Sequence, residues 1–103
     1  MQQLIELTQA IIKEHYILLE FNREFEQEDA HLIKTTLLND LPDSQSIEDY
    51  EGADRASFRI KVNHFYCVLH FEVYSQSCWI EAEAESEISQ LHAVHQILVR
   101  NLN

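Results

Sequence analysis

Three consecutive stretches decide the fold: Ala56-Ser57-Phe58-Arg59-Ile60-Lys61-Val62, then Phe65-Tyr66-Cys67-Val68-Leu69-His70-Phe71-Glu72-Val73, then Ser77-Cys78-Trp79-Ile80-Glu81-Ala82. In each, every second residue is apolar, which is the period of a strand with one dry face. The segment from Ala56 to Ala84 therefore reads as a β-meander. Its register can be checked. A tight turn at Asn63-His64 sets Ile60 opposite Cys67 and Lys61 opposite Tyr66. A turn at Ser75-Gln76 sets Val73 opposite Cys78, Glu72 opposite Trp79 and His70 opposite Glu81. Both hairpins then place apolar side chains on one face. A one-residue slip would set the apolar set of one strand against the polar set of the next. Asn63 also tolerates the positive φ that the first turn needs.

Working outward, residues 87–102 are expected as a helix, with Ser86 as N-cap and Glu87 in the first turn. Ile88, Leu91, Val94, His95, Leu98 and Leu102 form its inward stripe, and Arg100 lies near its C-terminal end. Residues 27–41 read as another helix, with Ala30, Ile33, Leu37, Leu38 and Leu41 on one side and Pro42 ending it. Residues 42–55 are polar and turn-rich and read as a surface loop. Residues 2–25 admit two readings. We favour a helix over 2–13 followed by a strand over 15–21. The alternative is a single long helix, because Leu4, Leu7, Ile11, Leu18, Phe21 and Phe25 fit one stripe throughout. The expected fold is α+β, an antiparallel meander sheet of three to four strands with helices packed on one face. Residues 1–103 form one domain by length.

The chain carries 18 acidic and 7 basic residues among 103, a formal net charge of −11. That balance repels phosphate and anionic lipid, so direct nucleic-acid or membrane-surface binding is disfavoured. It favours a basic protein partner, or simple solubility; a second copy of the chain is the other partner considered. There is no apolar run of the ~20 residues that a membrane span needs. The N-terminus lacks the basic and apolar regions of a signal peptide. A cytoplasmic location is expected.

Several residue patterns invite chemistry. Cys67 and Cys78 lie on the inward faces of adjacent strands, where free cysteines act as small buried hydrophobes. His92 and His95 stand three apart on a helix; metal helices usually use a spacing of four with carboxylates nearby, so one packed and one exposed histidine is the simpler reading. His15, His31 and His64 carry no pattern. Glu24, Glu26, Glu28, Asp29 and Glu48, Asp49, Glu51, Asp54 do not match a calcium loop. No cofactor or metal is expected. The outward sheet face is the candidate interaction surface, and it presents Tyr66, His70, Glu72, Tyr74, Trp79, Glu81 and Glu83 together with Arg59 and Lys61. His70 with Glu81 could act as an acid-base pair, yet no nucleophile or third orienting group accompanies them. Tyr66, Tyr74 and Trp79 on one face are the composition of a protein interface, unless the 42–55 loop or the N-terminal helix covers them. Glu81, Glu83, Glu85 and Glu87 would form an acidic row, either as edge protection or as a mimic of phosphates.

The segment Phe71-Glu72-Val73-Tyr74-Ser75-Gln76-Ser77-Cys78-Trp79-Ile80-Glu81, and within it Tyr74, Ser77, Trp79 and Glu81, resembles a family of short uncharacterised bacterial proteins, mostly gamma-proteobacterial. The resemblance spans about residues 55–100. It implies a single-domain bacterial protein of unknown function and assigns no functional residue. The leading expectation is a non-catalytic protein-binding or homo-oligomerising module. One alternative is an acidic inhibitor, immunity-type protein or nucleic-acid mimic that fills a basic groove on its partner. The other is an enzyme using His70 and Glu81.

Overall fold

The computed structural model describes residues 4–102. The three alternating stretches are the strands β4 (Arg55–Val62), β5 (Phe65–Glu72) and β6 (Ser77–Ala82). Their buried set is the expected one: Phe58, Ile60, Val62, Phe65, Cys67, Leu69, Phe71, Cys78 and Ile80 are all buried. The first hairpin has the expected register, with Ile60 opposite Cys67 and Lys61 opposite Tyr66. Asn63 takes a φ of 58° in its turn.

The second hairpin corrects the expectation. Phe71, not Val73, faces Cys78, and His70, not Glu72, faces Trp79. The turn is longer, running over residues 73–76, and it closes on a bond from the Gln76 amide to the Val73 carbonyl (3.2 Å), with Gln76 at a φ of 57°. The shift is two residues, so it moves partners along the strand without exchanging the faces.

Three further strands surround the meander. β1 (Leu7–Ile12) and β2 (Tyr16–Phe21) form a hairpin, and β3 (Ser44–Glu51) pairs with β4. The sheet has six antiparallel strands in the order β1-β2-β6-β5-β4-β3, against the three to four expected. The strand expected at 15–21 is present as β2. The helix expected over 2–13 is not; its residues 2 and 3 lie outside the described residues, and 7–12 are β1. Thr8, Ile11 and Ile12 are β-branched, and pairing with β2 buries Ala10 in a way an isolated helix could not match. The loop expected at 42–55 is mostly β3. Its side chains are exposed on both faces apart from a half-buried Ser44, as befits an edge strand, and a bulge between Ser46 and Glu48 interrupts its pairing.

The helix α1 (Asp29–Asp40) carries the chain from β2 to the opposite edge at β3. It buries Ala30, Ile33 and Leu37 against the sheet. Buried Lys34 reaches Asp49 of β3 at 3.1 Å and lies 5.0 Å from the Phe58 ring. At the C-terminal end, a 3-10 turn over Glu85–Gln90 precedes α2 (Leu91–Arg100). The expected helix thus starts four residues late, and Ser86 makes no capping bond, because the chain leaves β6 in a tighter turn. Leu91, Val94 and Leu98 are buried as expected. Both helices bury their apolar sides in the same cluster as the inward sheet residues. Edge-to-face aromatic contacts link Phe21 to Phe25, Phe25 to Phe71 and Phe71 to Phe58, with centroids 5.6–5.9 Å apart. Among the described residues no helix covers the outward face of the sheet.

Candidate functional site: the open face of the sheet

The ladder pairings define one row across the open face. Tyr50 pairs with Ser57, Ser57 with His70, His70 with Trp79, Trp79 with Leu18, and Leu18 with Ile11. One side chain from each of the six strands therefore stands in line. The two segments that could have roofed this face, residues 7–12 and 44–51, instead extend the sheet at its edges.

At the centre of the row the His70 and Trp79 rings stack, 4.9 Å between centroids and 18° from parallel. His70 Nδ1 lies 3.1 Å from Ser57 Oγ, and Nε2 lies 2.7 Å from Glu81 Oε1. The expected His70–Glu81 contact exists, but diagonally across the ladder rather than directly opposite. The carboxylate and the hydroxyl fix the imidazole plane, and the imidazole in turn holds the indole. Trp79 is half-buried, and it shares a shallow cleft of about 280 Å³ with Tyr16, Leu18, Glu72 and Ser77.

The next rows carry charge. Tyr66 lies beneath two cations, with the Arg59 guanidinium 4.5 Å and the Lys61 ammonium 5.5 Å from its ring. Arg59 also forms a two-pronged ion pair with Glu83. Hydrogen bonding to Glu83 raises the Arg59 pKa above its ordinary value. Glu72 is half-buried and accepts a bond from Ser75 Oγ (3.3 Å). Tyr74 is not on the sheet face. It projects from the 73–76 turn, 96% exposed, and borders a second cleft with Tyr50 and Arg55.

The acidic row expected at Glu81, Glu83, Glu85 and Glu87 is broken. β6 ends at Ala82, Glu85 and Glu87 belong to the 3-10 turn, and Glu81 and Glu83 are already paired with His70 and Arg59. Ser57 is the residue the sequence reading passed over. Its signal was available, because the Asn63-His64 turn alone places it opposite His70.

The remaining candidates fall elsewhere. Cys67 and Cys78 are free and buried, and burial pushes the Cys67 thiol up to about 12 and the Cys78 thiol well above its usual range. His92 is exposed, whereas His95 Nε2 lies 2.8 Å from the Ala10 carbonyl at the sheet edge. Among the described residues no group of three or more histidines, cysteines or carboxylates is placed to hold a metal ion, and no helix is long and apolar enough to cross a membrane. A cavity of about 300 Å³ on the helix side is lined chiefly by Ile5, Leu7, Phe21, Leu32, Leu37 and Leu98.

Residues 5–99 match the model of a family described as a protein of unknown function, DUF3630. No curated protein and no solved structure matches the chain.

Proposed function

The chain belongs to the DUF3630 family, whose function is unknown, and we propose that it is a non-catalytic protein-binding module that docks its partner on the open sheet face. The observation that carries this reading is the row from Tyr50 through His70 and Trp79 to Ile11, which crosses all six strands on the side away from both helices. Aromatic side chains at the centre of a face, ringed by charge, are the composition of a protein interface. Trp79 is held by its stack on His70, so less side-chain freedom remains to be lost on binding.

Ser57, His70 and Glu81 form a hydrogen-bonded chain, but not a hydrolytic one in this reading. Ser57 is in the middle of β4, paired to β3 on one side and β5 on the other. Its backbone N–H lies in the ladder and is not free to serve the oxyanion hole that acyl transfer requires. A cytoplasmic compartment and a gamma-proteobacterial source accompany the proposal, from the composition and the Tyr74–Glu81 resemblance.

The test is affinity capture from the native host by the wild type and by Trp79→Ala, with the captured polypeptides identified by mass spectrometry. Circular dichroism checks that the variant is folded. A defined polypeptide lost on Trp79→Ala is the expected result. Identical capture by both proteins, or none by either, would contradict the reading.

A further inference from the structure

Resting on that reading, we infer that the partner of the open face is a second copy of this chain, packed face to face about a two-fold axis that runs parallel to the strands, over β5 and midway between the two sheets. The charge pattern selects this arrangement. The strands β4 and β6 flank β5 on either side, so the axis brings β4 of one copy over β6 of the other, row for row. Arg59 shares its row with Val68 and Glu81. It therefore meets Glu81 of the second copy. Lys61 pairs with Tyr66, and the Glu83 amide bonds the Tyr66 carbonyl. Lys61 therefore meets Glu83 of the second copy. Each contact occurs twice by symmetry.

The exposed aromatics find places in the same geometry. The strand β3 lies over β2 of the other copy, so Tyr50, 59% exposed, covers Leu18, and Tyr16 receives the backbone around Glu48. Ser57 lies over Trp79. Tyr66, Val68 and His70 sit along the axis against their own copies. Glu72 against its copy is a like-charge contact, at the last residue of β5, where twisted sheets diverge. An axis perpendicular to the strands leaves β4 on β4, where the cations Arg55, Arg59 and Lys61 stand, and β6 on β6, so it brings no cation of β4 over an acid of β6.

The size is adequate. The five strands from β2 to β3 overlap, about 4.8 Å apart and about 20 to 26 Å long, and give a face on the order of 550 Å² in projection, against about 800 Å² of accessible surface per partner in a standard interface. The net charge of −11 opposes association at long range, but a Debye length of about 8 Å at physiological salt confines that repulsion.

Sedimentation equilibrium on the full chain tests this, with four samples: the wild type, Lys61→Glu alone, Glu83→Lys alone, and the two variants mixed. The wild type is expected to be a dimer. Each charge reversal faces like charge twice, and is expected to raise the dissociation constant about 100-fold. The mixture restores both pairs and is expected to dimerise as the wild type does. Lys61→Glu leaves the Arg59–Glu83 pair intact, so it reports even if Glu83→Lys folds poorly. A wild-type dimer indifferent to both reversals, or a mixture that stays monomeric, overturns the inference. So does a monomeric wild type. In that case Trp79-dependent capture of a different protein leaves the docking reading standing, and the absence of such capture removes both.

Discussion

At the scale of single residues, the interior and the open face make opposite demands on reactive groups. Cys67 and Cys78 are deprived of water, and burial holds their thiols protonated at any pH a cell reaches. A disulfide reagent at pH 8 should leave both untouched in the native protein and titrate both in denaturant. Rapid native labelling would contradict their placement. Asp29 shows the converse. Hydrogen bonds from the Arg23 guanidinium (3.0 and 3.1 Å) lower its carboxyl pKa against the upward push of burial, and the Glu26 amide (2.8 Å) lowers it further. A depressed native pKa means stability that is present above about 3.9, the ordinary Asp value, and lost as pH falls through the lower folded one. Asp29→Asn should therefore cost about 2 kcal/mol at pH 7, the range of hydrogen bonds to a charged group, and flatten the acid limb of a stability-pH curve. An acid limb as steep as that of the wild type would refute the assignment. Ser57 marks the limit of single-residue reading. Its type is unremarked in a polar alternate position, and only the pairing of strands shows that its hydroxyl touches His70.

At the scale of elements, alternation made β4, β5 and β6 legible, because one face is buried and one is not. The same logic explains the misses. β3 has no dry face, so Ser44–Glu51 carries no alternation and looks like a loop. β1 is short, and Leu7 and Ile11 stand at a helical spacing by coincidence with the next strand. Its turn at Lys13-Glu14-His15 contains no Gly, Pro or Asn to announce itself. The first turn did announce itself, through Asn63. Asn63→Ala should cost about 1 kcal/mol, because Asn offsets the strain of positive φ with local hydrogen bonds from its side chain and Ala cannot, while Asn63→Gly, which has no Cβ to strain, should cost less. Chemical denaturation measures both, and equal losses would mean the turn does not depend on backbone conformation. The second turn misled the register because its left-handed residue is Gln76, whose side chain is tied down by accepting a bond from the Phe25 amide (2.9 Å) and donating one to the Phe25 carbonyl (2.8 Å). Those bonds join residues 51 apart and leave no trace in local sequence.

At the scale of the whole molecule, two helices on one side of a six-stranded sheet divide it into a dry layer and an open one. The dry and open faces are those that alternation predicts, and Tyr66, His70, Glu72, Trp79 and Glu81 lie on the open one. Tyr74 left it for a turn, Leu18 and Ile11 joined it from strands whose pairing was not foreseen, and Ser57 joined it from β4, whose pairing with β5 was. That division is the claim on which the docking surface and the face-to-face pairing both stand. Hydroxyl-radical footprinting of dilute protein tests it most directly, since sulfur and aromatic side chains are intrinsically the most easily oxidised. Trp79, Tyr66 and Tyr50 should be oxidised readily while Cys67, Cys78, Phe58 and Phe71 are spared. Protection of Trp79 as complete as that of Cys78 would mean that the face is covered within the chain, and would contradict the account.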